Sequence, residues 1–343
     1  MFKFNLQHFA AGDNVHTTSG IASNTSGNIT AYDPNSGLSV EMKTYYSDYL
    51  IDMADPDLVH DQFGQKRPIP KGRGKTIEFR KFDPLPKALT PLTEGVTPNG
   101  NKIDAKAITA EVHQYGDYTE LSDVLQLTAI DNCLVEATQL LGSQAGRTLD
   151  TVTREVLSGG TNVQYGEGQV QKRVDLVGGE ESGNHYLTVA AIKNAVRTLK
   201  RFNAPKINGS YVCILHTDTA HDLTNDPMWK DIKIRDPKDL YKGEIGELFG
   251  VRFVETSEAK VFEEAGSNGR DVYSTLVMGA NAYGVTGIEG GGLEHIVKQL
   301  GSAGTADPLN QRGTAGWKAT KAAVRLVEPY LVRIETTASY ETK

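Results

Sequence analysis

The densest run of reactive side chains in the sequence is HTDTAHD, residues 216–222, where His216, Asp218, His221 and Asp222 could ligate a divalent cation. The run follows the apolar stretch SYVCIL (210–215). The spacing therefore also fits a strand that ends as Thr217 or Asp218 caps a short helix, with the histidines on its exposed first turns. We favour the helix, and expect no metal. No H-E-x-x-H, G-x-S-x-G or Cys/His nucleophile arrangement occurs elsewhere, so no catalytic residue is assigned.

A second run suggests phosphate chemistry. GEIGELFGVRFVET (243–256) places glycines at 243, 246 and 250. A phosphate cradle needs backbone N–H groups aimed at the anion and usually a helix to follow. Here the strand-like VRFVET follows, and Glu244 and Glu247 would repel a phosphate. The expectation is a tight turn into a buried strand, with no cofactor.

A third run is cationic. Lys66, Arg67, Lys71, Arg73, Lys75, Arg80, Lys81 and Lys87 face only Glu78 and Asp83 within 66–87. Apart from Phe79 and Phe82 it lacks the interleaved aromatics of a stacking platform, and its Pro-rich flanks argue against a groove-reading helix. In a chain of net charge −7 these cations fit the acids of another protein chain better than nucleic acid. Trp317, in DPLNQRGTAGWKA (307–319), is either the anchor of that turn or an anchor between subunits.

The elements that must position these groups follow from pattern. With 343 residues, 38% of them hydrophobic, the chain has length for two or three structural units. Cys133 and Cys213 are far apart with no C-x-x-C, which predicts two buried thiols and no disulfide framework. No apolar run reaches the ~20 residues a bilayer requires, and the N-terminus lacks a signal h-region. A cytoplasm-like compartment and no membrane are expected. Residues 10–40 are rich in Gly, Ser, Thr and Asn, and a short amphipathic helix follows, stopping near Pro56.

KTIEFRKF (75–82) and a strand through Ile108, Ala110 and Val112 flank a Pro/Gly-rich tip, which predicts an extended hairpin that leans on a neighbour. Ser122 is placed as the N-cap of a helix over 122–157, about 54 Å long at 1.5 Å per residue. Gly142 and Gly146 are its candidate bends, and Gly159–Gly160 its stop. Thr188 caps a second helix with Val189, Ile192, Val196 and Leu199 on one face. SYVCIL, VRFVET and VYSTLVMG (272–279) read as strands. Residues 317–336 alternate, with Pro329 marking an edge or a bulge.

This order of parts resembles the major capsid proteins of tailed bacteriophages with the Hong Kong 97-type fold. It looks most like the family typified by the coliphage N-four major capsid protein, found in phages and prophages of Gram-positive bacteria. The resemblance rests on FNLQHFA (4–10), TEGVTPN (93–99), LSDVLQLT (121–128), NDPMWKD (225–231), GEIGELFGVRFVETSEA (243–259), DPLNQRGTAGWKA and YLVRIET (330–336). It implies an α+β fold with an N-terminal arm and short helix (1–60), an E-loop hairpin (61–120), a P-domain with a long spine helix (121–205), an A-domain (206–292) and closing P-domain strands (293–343).

The implied function is a structural, non-enzymatic one. Capsomers, pentamers and hexamers, would self-assemble into an icosahedral viral head enclosing double-stranded DNA. The intersubunit contacts we would place at Arg73, Lys75, Arg80, Glu94, Glu244, Glu247 and Trp317. The implied partners are further copies of the chain, a separate scaffolding protein, a portal, a decoration protein and packaged DNA held non-specifically. The implied location is the virion, assembled in the bacterial host cytoplasm. Covalent cross-linking is not expected. An encapsulin-like shell protein, a tail-tube protein and a cytosolic metal-dependent enzyme centred on 216–222 are the alternatives.

Overall fold

The computed structural model describes residues 59–340 apart from 83–84, 86, 92–93, 96, 98–99, 104, 129–132, 169, 179–182, 184, 236–245 and 303–306. The expected N-terminal arm, the helix before Pro56, Glu244 and much of the hairpin tip lie outside the described residues.

In chain order, the short β1 (Gln65–Lys66) precedes the hairpin strands β2 (Thr76–Phe82) and β3 (Ala105–Glu111), then β4 (His113–Ser122). Helices α1 (Asp123–Thr128) and α2 (Cys133–Ser158) follow, then β5 (Val163–Tyr165) and α3 (Val189–Arg201). Next come β6 (Tyr211–His216), α4 (Thr217–Asn225), α5 (Pro227–Arg235), β7 (Glu247–Leu248), β8 (Val251–Thr256) and β9 (Val261–Phe262). The chain closes with β10 (Val272–Met278), β11 (Tyr283–Thr286), β12 (Glu294–Lys298), β13 (Arg312–Arg325) and β14 (Leu331–Thr336).

Two compact units result, one formed by Gln114–Arg147 and Gly291–Ala319, the other by 59–113, 148–290 and 320–340. The larger unit is built on a mixed sheet in the order β5-β14-β10-β6-β8-β7, with β9 also on β10. β6 explains the sheet's chemistry. Tyr211, Cys213 and Leu215 point into a core made with α3, α4 and α5, while Val212 and Ile214 point into a second core with Leu157, Met278 and Tyr283. A strand covered on both faces must be apolar throughout, which is why SYVCIL shows no alternation. On α3, Thr188 Oγ1 accepts from Ala191 N at 3.2 Å, and Val189, Ile192, Val196 and Leu199 are all buried, as the spacing predicts.

The hairpin base packs in the same unit. Phe79, Ala110 and Val112 meet Ile69 and Ala322, so the apolar parity of β3 finds its cover on the second half of β13. That half pairs β11, which pairs β1. In the smaller unit the first half of β13 carries β12 and β4. There the backbones come close. A Cβ on Gly116 would lie 2.5 Å from the Trp317 carbonyl oxygen, and one on Gly316 would lie 2.8 Å from Tyr118 Cβ.

Two expectations change, and one lies partly outside the described residues. The long helix is described as α1 and α2, with 129–132 between them outside the described residues. Ser122 does cap its start, accepting from Leu125 N at 3.2 Å, and α2 runs through Gly142 and Gly146 without interruption. Pro329 marks neither an edge nor a bulge within one ladder. It lies in the turn Glu328–Tyr330 that carries the chain from β13 in one sheet to β14 in another, where its missing N–H costs nothing. Finally, the strand through Val112 leads directly into β4, a ten-residue strand in which only Leu121 is buried.

Candidate functional site

The basic hairpin holds its charges at the surface, two of them paired. Lys75 Nζ lies 2.5 Å from Glu111 Oε1 across the β2–β3 ladder, where Thr76 registers with Glu111. The bond to Glu111 raises the Lys75 pKa, and the same bond holds the Glu111 carboxyl below its usual range. Arg80 Nε donates to Glu78 at 3.1 Å on the same strand face. Arg73 and Glu94 are exposed. Exposed, solvent-screened pairs of this kind are worth little to the monomer, so their cations are free to exchange partners.

Large apolar side chains accompany them. Leu85, Leu89 and Ile103, on the segment between β2 and β3, are 54%, 81% and 70% exposed. The hairpin therefore offers both charge and apolar area that its own chain does not cover.

The glycine-bearing run resolves into a hairpin. Glu247 and Leu248 of β7 pair antiparallel with Arg252 and Val251 of β8. Phe249 and Gly250 form the two-residue connection, with φ of 54° and 73°. Two successive positive φ values are what a tight two-residue turn between right-twisted strands requires, and Gly250 meets that need. Val251 and Phe253 then enter the core. Glu247 remains exposed at the edge.

The HTDTAHD run is occupied with holding the fold. His216, rather than Thr217 or Asp218, is the N-cap of α4, its Nδ1 accepting from Asp218 N at 3.2 Å. A neutral imidazole can take this role because one ring nitrogen is an acceptor. Asp218 Oδ2 accepts from Tyr273 Oη at 2.9 Å, and Asp222 Oδ2 from Ser339 N at 2.9 Å. His221 stacks edge-on against Tyr340 with centroids 5.3 Å apart. Among the described residues no group of three or more His, Cys, Asp or Glu is arranged to hold a metal.

Trp317 is 3% exposed, and its Nε1 donates to Gln144 Oε1 at 3.2 Å. Gln144 in turn donates to Asp117 Oδ2 at 2.6 Å, so the indole is fixed by its own subunit's helix and sheet. Cys213 is a buried free thiol whose pKa burial pushes up.

Sequence reasoning missed two buried polar clusters. In one, Lys321 Nζ bonds Asp61 Oδ2 and the Leu149 carbonyl, Thr153 Oγ1 donates to Asp61 Oδ1 at 2.6 Å, and His60 binds Asp150 through its backbone N and ring Nδ1. Burial pushes the Lys321 pKa down against the pull of Asp61 and Asp150. The available signal was parity. Ala315, Trp317 and Ala319 are buried on alternate positions of β13, and Lys321 is next in that series. In the other cluster Arg173 grips Glu335 through two bonds of 2.7 and 2.8 Å while stacking on Phe262 at 3.6 Å. Both clusters join residues far apart in sequence through direct bonds, which suits a structural role.

Comparison with known proteins agrees with this geometry. Residues 120–292, just over half the chain, match the family model described as "Phage capsid protein". No curated protein matches the chain in sequence. Solved structures of similar fold include the cyanophage Pam1 capsid, with a TM-score of 0.65 at 14% identity over 93% of this chain and 99% of that one. The capsid of Ralstonia phage GP4 gives 0.63 at 14% identity, covering 82% and 88%. The capsid of Helicobacter pylori bacteriophage KHP30 gives 0.57 at 12%, covering 81% and 88%. The fold is the α+β Hong Kong 97-type fold, and the role is a structural one in the virion shell. The chain belongs to the phage capsid protein family.

Proposed function

We propose that copies of this chain assemble into pentamers and hexamers that close as an icosahedral head around double-stranded DNA, within the bacterial host cytoplasm. The observation that carries this reading is the hairpin with its uncovered leucines, isoleucine and cations. Burying a fully exposed Leu or Ile side chain is worth roughly 1.5–3 kcal/mol, and a neighbouring subunit that covers Leu85, Leu89 and Ile103 gains the fraction of that still exposed, most at Leu89 and least at Leu85. In this assembly residues 1–60 act as the N-terminal arm, 61–120 as the E-loop, 121–205 as the P-domain with its spine, 206–292 as the A-domain and 293–343 as the closing strands.

Arg73, Lys75, Arg80, Glu94, Glu244 and Glu247 supply charged contacts between subunits, and Trp317 stiffens the β4–β13 face that a neighbour meets. A scaffolding protein, a portal and a decoration protein complete the head. The motifs FNLQHFA and NDPMWKD support placement in the group typified by the coliphage N-four capsid protein, in a phage or prophage of a Gram-positive host. Deleting residues 84–98 tests the assignment. The expected product is a folded protein that forms no closed shells, and normal particles from that deletion would sink it.

A further inference from the structure

Residues 182–217 contain Lys193, Arg197, Lys200, Arg201 and Lys206 and no aspartate or glutamate, in a chain whose net charge is −7. The first four lie on the solvent face of α3, opposite its buried Val189, Ile192, Val196 and Leu199. They recur at i, i+4, i+7 and i+8, so the row from Lys193 to Arg201 spans about 12 Å at 1.5 Å per residue. Arg197, Thr198, Lys200 and Arg201 line one shallow concavity. Lys206 is exposed in the loop that follows, beside Asn203 and Asn208 at positive φ.

Several cations elsewhere are matched, Lys75 with Glu111, Arg173 with Glu335, Lys260 with Glu155, Lys318 with Glu294 and Arg325 with Glu328, while others such as Lys71, Arg73 and Lys172 are exposed singly. What sets this face apart is five cations clustered in a stretch with no acid among them. Among the described residues none of the five cations of 182–217 has a carboxylate within ion-pair distance. Lys193 Nζ lies against Met228 Sδ at 3.1 Å and the Phe249 ring at 4.4 Å. Glu167, which lines the adjoining groove with Asn194 and Arg197, has its carboxylate turned to Thr188 Oγ1 at 2.9 Å. The helix dipole accounts for Lys200 and Arg201 in the last turn, but Lys193 and Arg197 lie in the second and third turns, where it gives cations no advantage.

We propose that this face of α3, with Lys206, is where the capsid protein meets the phosphate backbone of packaged duplex DNA, an inference that rests on the reading that the shell encloses DNA. A 12 Å row matches three or four successive nucleotides at about 3.4 Å per strand. The side chains between the cations are Asn194 and Thr198, which suit phosphate oxygens. A protein-docking face would centre on apolar or aromatic anchors, and here the exposed ones, Phe202, Met228 and Phe249, lie at the ends of the row rather than between its charges.

The test measures binding of the full-length protein to a mixed-sequence duplex of about 30 base pairs between 50 and 200 mM salt. In K193Q/R197Q/K200Q/R201Q the log–log salt slope is expected to flatten by about 3–4, at about 0.9 per phosphate contact. The affinity lost between the two salt concentrations then shrinks about a hundredfold. The charge-preserving K193R/R197K/K200R/R201K should keep the wild-type slope, which guards against misfolding. An unchanged slope in the neutral variant, or no duplex binding by the wild type, overturns the proposal. Displacement of the duplex by polyglutamate of equal charge as readily as by a second duplex also overturns it, in favour of an acidic protein partner. Each of these failures leaves shell formation, read separately by electron microscopy, untouched.

Discussion

Lys321 and Glu328 are the two residues whose chemistry most constrains the subunit. The Lys321 side chain is 6% exposed and its ion partner Asp61 15% exposed. Removing one member of a buried pair strands the other, so Lys321→Met is expected to destabilise by ~3–5 kcal/mol. Asp61→Asn combined with Lys321→Met should recover a large part of that loss in urea titrations. Glu328 sits where β13 turns toward β14. Its Oε1 accepts from the Thr161 backbone N, and its Oε2 from Arg325 Nε at 2.9 Å. Burial alone would raise its pKa, but the bonds from Thr161 and Arg325 outweigh burial and hold it below the ordinary 4.5. A folded-state pKa below the unfolded one gives a contribution that is full above the ordinary value and is lost as pH falls through the folded value. Glu328→Gln should therefore cost about 1–3 kcal/mol at neutral pH, and the two proteins' urea midpoints should converge in acid. Neither residue's role was legible in sequence, because Asp61 and Thr161 lie 260 and 167 positions away from their partners. A contact over that separation leaves no local pattern beyond the inward parity of Lys321.

At the scale of elements, local patterns carried further. Thr188 and Ser122 announced their helices because caps act within three residues, and β6 announced itself by being apolar on every position. The turn at Phe249–Gly250 was readable as a turn, though not as a two-residue hairpin, because Phe at a positive φ runs against propensity. The division of 317–336 between two sheets was not readable, since both strands alternate and only tertiary pairing separates them. The close approach of β4 and β13 gives a sharp expectation. Gly116→Ala should cost about 1–3 kcal/mol by forcing the strands apart at Trp317, visible as loss of the tryptophan's near-UV signal before global unfolding. The hairpin gives another. Reversing Arg73, Lys75 and Arg80 to glutamate should leave the monomer's urea midpoint nearly unchanged but weaken capsomer association. Raising salt should narrow that gap. Equal association of variant and wild type at low salt would assign the cations another role.

At the scale of the molecule, buried polar contacts and doubly covered strands hold the larger unit, while the hairpin and one face of α3 are among the places that leave charge or apolar area at the surface. That division of labour suits a shell, where each subunit keeps its own fold and gains further stability from its neighbours. Electron microscopy of the protein expressed alone, read together with sedimentation velocity, tests this most directly. Closed shells or capsomer-sized rings are the predicted result. A uniform monomer that stays monomeric even with a candidate scaffolding protein present would contradict it.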